Sequence, residues 1–224
     1  MSRVHDMGGR FGDGAVVPEA EDAPLFEEEW HARALAITLA CGALGHWNID
    51  ISRHAREKLA PRDYAKFTYY EKWTAALADL LVETDLLSTD EFLAGAAKGK
   101  SPMAGRVWKA EAVAEGLARG APADRQSDIP AQFKSGDPVQ TRAAGNLLVD
   151  GGHTRLPGYA AKAKGYVVRL HGTHVLPDSA AHRLGDAAQP LYAVAFRASE
   201  LWHAPEDPDD EVVLDLWQSY LMPL

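Results

Sequence analysis

Phe26, Trp30, Ala34, Ile37, Cys41 and Leu44 follow one another at three- and four-residue steps, which places them along one face of a predicted helix. A short helix is expected over Ser52 to Leu59, capped by Asp50 or Ser52 and barred from continuing by Pro61. A longer one follows, with Tyr70, Trp73, Leu77, Leu80 and Leu81 on its apolar side. Ser88-Thr89-Asp90-Glu91 has capping-box spacing and opens another, and Lys109 to Arg119 forms a last one closed by Gly120. After Phe133 the period changes. Gly165 to Leu170, Leu191 to Phe196 and Glu211 to Leu216 are β-rich runs of strand length separated by turn residues. Short strands so closely spaced predict a small antiparallel barrel.

The pattern therefore reads as an α+β fold. An extended arm is expected over residues 1–25, because Gly8, Gly9, Gly12, Gly14, Pro18 and Pro24 leave few large apolar side chains to build a core. A helical domain over 26–120, a linker over 121–132 rich in proline and charge, and a β-barrel domain over 133–224 complete it.

Composition narrows the chemistry. With 224 residues and 46% hydrophobic content the chain can bury a core of one large or two modest domains. Its 23 basic and 32 acidic residues give a net charge of −9, which argues against nucleic acid or an anionic membrane as the main partner. The single cysteine, Cys41, excludes an internal disulfide and any C-x-x-C metal knuckle, and its helical position reads as a small core residue. The opening Met-Ser-Arg-Val-His-Asp lacks the apolar stretch of a secretory signal, and the run Ala34 to Leu44 is about half the ~20 residues that span a bilayer. A cytoplasmic location is the expectation.

No nucleophile elbow, phosphate loop or H-E-x-x-H motif is present. His171 and His174 lie three apart in a β run, so they are expected on opposite faces and not at one metal. The acidic stretch Glu206 to Glu211 lacks calcium-loop spacing and reads as a solvated turn. Two arginines stand out: Arg53, early in a short helix near Asp50, and Arg155, in the constrained run Gly151-Gly152-His153-Thr154-Arg155-Leu156-Pro157. Taken alone, they read as surface ion-pair residues, each worth little.

Set together, Asn48-Ile49-Asp50-Ile51-Ser52-Arg53-His54, Thr68-Tyr69-Tyr70-Glu71-Lys72-Trp73 and Gly152-His153-Thr154-Arg155-Leu156-Pro157-Gly158-Tyr159 resemble the β subunit of nitrile hydratase. The start Val4-His5-Asp6-Met7-Gly8-Gly9 and the tail Glu200-Leu201-Trp202 with Asp215-Leu216-Trp217 extend the likeness over nearly the whole chain. That enzyme adds water to a small-molecule nitrile to give an amide, at a non-corrin Co(III) or non-haem Fe(III) ion held by the cysteines of its α subunit. The resemblance implies an SH3-like form for the β-barrel, no metal in this chain, an α-subunit partner and an α2β2 heterotetramer. It implies that Arg53 and Arg155 donate to oxidised cysteine oxygens of α, a task suited to a planar head charged at every working pH. It also implies that Tyr69 presents its hydroxyl to the nitrile, with Ile49 and Trp73 as apolar pocket walls. Departures are Ser52, where the family commonly has phenylalanine, and Ala161-Lys162-Ala163-Lys164, where it often has Arg-Gly-basic. Two other readings are a metal-loading activator, which resembles the helical half only, and a thiocyanate hydrolase subunit, whose β-like region is divided between two chains.

Overall fold

The structure, a computed structural model, describes residues 17–224 and divides into two compact units, 17–121 and 122–224. The glycine-rich start lies outside the described residues; of the expected arm, residues 17–25 are exposed coil.

The first unit is helical: α1 (Glu29–Gly42), α2 (Ile49–Glu57), α3 (Pro61–Lys66), α4 (Tyr69–Glu83), α5 (Thr89–Ala94) and α6 (Ala110–Arg119). Its core is small. Trp47, Ala55, Ala76, Leu77 and Leu80 are buried together, with Cys41, Ile51, Leu81 and Leu86 packed against them. Burial pushes the Cys41 thiol pKa up, which suits a core residue and not a nucleophile. Ser88 and Glu91 cap α5 reciprocally, and Gly95 closes it in the left-handed conformation. Thr68 and Glu71 form a second such box at the start of α4.

Two expectations are corrected here. The short helix begins at Ile49, not Ser52, because Asn48 caps it, its side chain accepting the Ile51 N–H at 2.8 Å. The stripe expected on α1 is also narrower. Ala34 and Thr38 are its buried residues, whereas Trp30 and Ile37 stay exposed. Small side chains let a helix approach its neighbour closely, and the Thr38 hydroxyl is satisfied within the helix by the Ala34 carbonyl at 2.8 Å.

The second unit is one antiparallel sheet of β1 (Pro138–Thr141), β2 (Lys164–His174), β3 (Gln189–Arg197), β4 (Glu211–Trp217) and β5 (Leu221–Pro223), in the order β4-β3-β2-β1-β5. Short helices α7 (Pro177–Ala180) and α8 (Ala198–Leu201) interrupt it. The hydrogen-bonded order is open, with β4 and β5 at its two edges, so among the described residues the sheet is not closed. Strand β3 lies between β2 and β4, and only Arg197 at its end is exposed. Tyr192, Val194 and Phe196 enter the main core, while Ala193 and Ala195 keep the alternate face thin. The residues 122–132 are bound to this sheet: the Arg125 N–H donates to Thr173 O at 2.9 Å and the Val175 N–H to Ala123 O at 2.9 Å.

At Gly165 strands β2 and β3 approach so closely that a Cβ would lie 2.4 Å from the Ala195 carbonyl oxygen and 2.8 Å from the Phe196 ring. Gly165→Ala is expected to destabilise the protein by about 1–3 kcal/mol, the usual cost of overpacking a tight core. Chemical denaturation measures it, and a loss below about 0.5 kcal/mol, the level of neutral surface changes, would contradict the packing described.

Candidate functional site

In the helical unit the capped start of α2 sets two exposed features on one side. Ile49 is 63% exposed, and Arg53, one turn later, donates from Nη1 to Asp50 Oδ1 at 2.9 Å. Asp50 is buried and Arg53 half-exposed, so the carboxylate fixes one edge of the guanidinium, and among the described residues the other edge has no acceptor. Helix α4 starts sharply at its capping box, and the two tyrosines that follow meet edge to face, their ring centroids 5.1 Å apart. Tyr70 turns inward, against Phe26 at 6.0 Å, His31 at 4.8 Å and Trp30 at 6.5 Å between ring centroids. Tyr69 is 63% exposed and meets Trp73, one turn on, at 5.4 Å.

Sequence reasoning missed Arg56. Its Cζ stands 4.2 Å from the Trp73 ring centroid, a cation–π contact, and its Nη2 donates to Ser52 Oγ at 3.2 Å. Ser52, the departure noted above, thus anchors a guanidinium from one turn earlier. Burial lowers the Arg56 pKa, and Tyr69 and Arg53 both lie within its electrostatic reach. Ile49, Arg53, Arg56, Tyr69 and Trp73 are all carried by α2 and the first turns of α4. No sequence signal marks Arg56, because its partner ring is on another helix.

In the β unit Arg155 belongs to an irregular loop that is nevertheless tightly held. Its guanidinium makes no hydrogen bond or ion pair among the described residues, while its N–H donates to the Tyr220 hydroxyl at 3.2 Å. Tyr220 in turn donates to Asp178 Oδ2. Both are 2% exposed. Burial raises the Asp178 carboxyl to about 6, against the opposing pull of the Tyr220 hydrogen bond, and burial also raises the Tyr220 phenol. His153 is fully buried, and its N–H donates to His182 Nε2 at 3.0 Å. Neither Tyr220 nor Asp178 was legible as part of this site in the sequence.

Among the described residues no group of three or more His, Cys, Asp or Glu is gathered as a metal would require. His171 pairs instead with Asp215 at 2.8 Å, and the His174 carbonyl accepts from Trp217 Nε1 at 3.3 Å. Nor is any described helix long and apolar enough to cross a membrane. What each unit offers is donors: among the described residues Arg53 in the first and Arg155 in the second keep unpaired guanidinium N–H groups, and the first also presents an exposed phenol beside an indole.

Comparison with known proteins agrees with the motifs. Family profiles described as "Nitrile hydratase beta subunit, N-terminal" and "Nitrile hydratase beta subunit, C-terminal" match residues 1–123 and 122–223. The low-molecular weight cobalt-containing nitrile hydratase subunit beta of Rhodococcus rhodochrous is 32% identical over all of both chains. The nitrile hydratase subunit beta of Pseudomonas putida is 34% identical, again over all of both chains. A thiocyanate hydrolase apo-enzyme from Thiobacillus thioparus aligns at 22% identity and a TM-score of 0.39 over 53% of this chain and 98% of that one, a likeness from which nothing follows.

The raised Asp178 carboxyl has a measurable consequence. Its folded pKa of about 6 lies above the ordinary 3.8, so the native state holds this proton more tightly than the unfolded chain. Its contribution to stability is present below about pH 4 and is lost as pH rises through about 6, on the order of 3 kcal/mol. Denaturation curves from pH 4 to 7 are expected to show the wild type losing stability relative to Asp178→Asn over that window. Parallel pH profiles for the two would show that the carboxyl is not perturbed.

Proposed function

The chain belongs to the nitrile hydratase β-subunit family, and from that premise we propose that it supplies the fixed donors of a nitrile-hydrating centre whose metal its α partner holds. The observation that carries this reading is the state of its two motif arginines: Asp50 holds the Arg53 head by one N–H, Tyr220 holds the Arg155 backbone, and among the described residues both keep further guanidinium N–H groups uncommitted. The C-terminal match over residues 122–223 counts against an activator built from the helical half alone.

The metal does not fit this chain, whose single cysteine is Cys41. In this reading a low-spin Co(III) or Fe(III) ion in α supplies Lewis acidity toward the nitrile, and the residues here act around it. Arg53 and Arg155 donate to the anionic oxygens of oxidised α cysteines. The planar fork fixes the direction of those bonds, which orients the sulfur ligands and guards them against further oxidation. Tyr69 directs its hydroxyl at the substrate, and Trp73 and Ile49 form the apolar wall. Arg56 stacked on Trp73 holds that indole in place.

The finer architecture belongs to the same proposal. The boundaries are an arm over 1–25, a helical domain over 26–120, a linker over 121–132 and a β domain over 133–224. The sheet is read as an SH3-like barrel, since β5 returns beside β1 after a single 3-10 turn from β4. Exposed Trp30, Ile37, Phe92, Leu93, Val107 and Leu117 on the helical unit suit burial against α in a cytoplasmic α2β2 assembly.

Arg53→Lys and Arg155→Lys keep charge and lose the fork. In the assembled complex each is expected to lower turnover at least ~10-fold, within the ~10–100-fold usual for residues that orient metal ligands, with assembly intact. Near-normal turnover at normal metal content would remove that arginine from the mechanism. Purified without α, the chain is expected to be poorly stable and to carry no stoichiometric cobalt, iron or zinc. Elemental analysis finding about one tightly bound ion per chain would overturn the placement of the metal in the partner.

A further inference from the structure

The Arg155 side chain extends from a loop without regular secondary structure, so its direction depends on what holds the loop. Asn146 grips it from one side. Its Nδ2 donates to the carbonyls of His153 at 2.5 Å and Asp178 at 2.9 Å, and its Oδ1 accepts the N–H groups of Leu148 and Val149 at 2.7 and 2.9 Å. His182 accepts the His153 N–H, and a Cβ at Gly152 would lie 2.5 Å from that same ring nitrogen, so only glycine fits there. On the other side stands Tyr220, from the turn between β4 and β5. Its hydroxyl accepts the Arg155 N–H itself and donates to Asp178 in the first turn of α7. A tyrosine 2% exposed has no packing need for its oxygen, and a buried hydroxyl is costly unless both its roles are met. Here both are met, and one of them by the backbone of the arginine.

We propose that Tyr220, oriented by Asp178, is a positioning residue that aims Arg155, an inference that rests on the role given to Arg155 above. The phenol oxygen fixes the peptide plane from which the side chain departs. Asp178 fixes the rotation of the phenol O–H, so that its lone pair and not its proton faces the Arg155 N–H. Neither touches substrate.

Tyr220→Phe removes the one oxygen and keeps the ring. In the complex with α, exchange of the Arg155 amide hydrogen is expected to speed up at least about 10-fold while amides of β3 stay protected. Turnover is expected to fall about 10-fold with KM nearly unchanged. In an Arg155→Lys background the same change is expected to cost less than about 2-fold more, because both act through one side chain. Asp178→Asn, which keeps an acceptor but weakens the bond, is expected to act in the same direction and less strongly. It gives the answer if Tyr220→Phe fails to assemble. Unchanged exchange and turnover overturn the proposal, as does a loss fully additive with Arg155→Lys. Arg155→Lys alone separates the two claims. Normal turnover there overturns the role of Arg155, whereas a loss there with Tyr220→Phe behaving as wild type overturns only the positioning role.

Discussion

Two phenol oxygens lie inside the β unit, and the need to satisfy them organises much of what surrounds them. The Tyr192 hydroxyl donates to Gln218 Oε1 at 2.8 Å and accepts the Gln132 and Phe133 N–H groups at 3.0 and 3.3 Å. Gln218 Nε2 in turn donates to the Pro130 carbonyl at 3.2 Å. That network binds the segment entering the unit to β3. The second oxygen, on Tyr220, joins the Arg155 loop to α7 through Asp178. An unpaired buried hydroxyl costs about 1–3 kcal/mol, so each network holds as a whole or is disfavoured as a whole. An irregular loop thereby acquires the rigidity of the sheet beneath it.

The helical unit solves a different problem with less core. Its buried cluster is small, and much of its apolar surface, Trp30, Ile37 and Phe92 among it, stays exposed. What holds the α2 and α4 side chains in place is local and electrostatic: two caps, the Asp50–Arg53 pair and Arg56 over Trp73. Because Asp50 is buried and its partner is not, the pair restrains Arg53 without withdrawing it from solvent. The same helices that leave apolar surface uncovered thus hold their polar groups ready for a partner.

Features whose cause lies within a few residues were legible in the sequence. The capping box at Ser88, the apolar side of α4, the proximity of Arg53 to Asp50 and the long runs of β2, β3 and β4 all follow from spacing, because caps, helix faces and buried strands depend on near neighbours. Strands β1 and β5 were not legible. They span four and three residues, and pairing with each other and, for β1, with β2 makes them strands, not composition. The exposed stripe on α1 was misread because periodicity reports an apolar face but not which neighbour covers it.

The candidate site divides the same way. Motifs in the sequence nominate Ile49, Arg53, Tyr69, Trp73 and Arg155 by residue type and order. Only the tertiary structure adds Arg56, Ser52, Asn146, His182, Asp178 and Tyr220, each of which acts on a partner in another segment, save the Ser52–Arg56 bond within α2. Donor chemistry is a property of a side chain and can be read from its letter. Its direction is set by hydrogen bonds and burial between residues as far apart as Arg155 and Tyr220, and those exist only once the chain has folded.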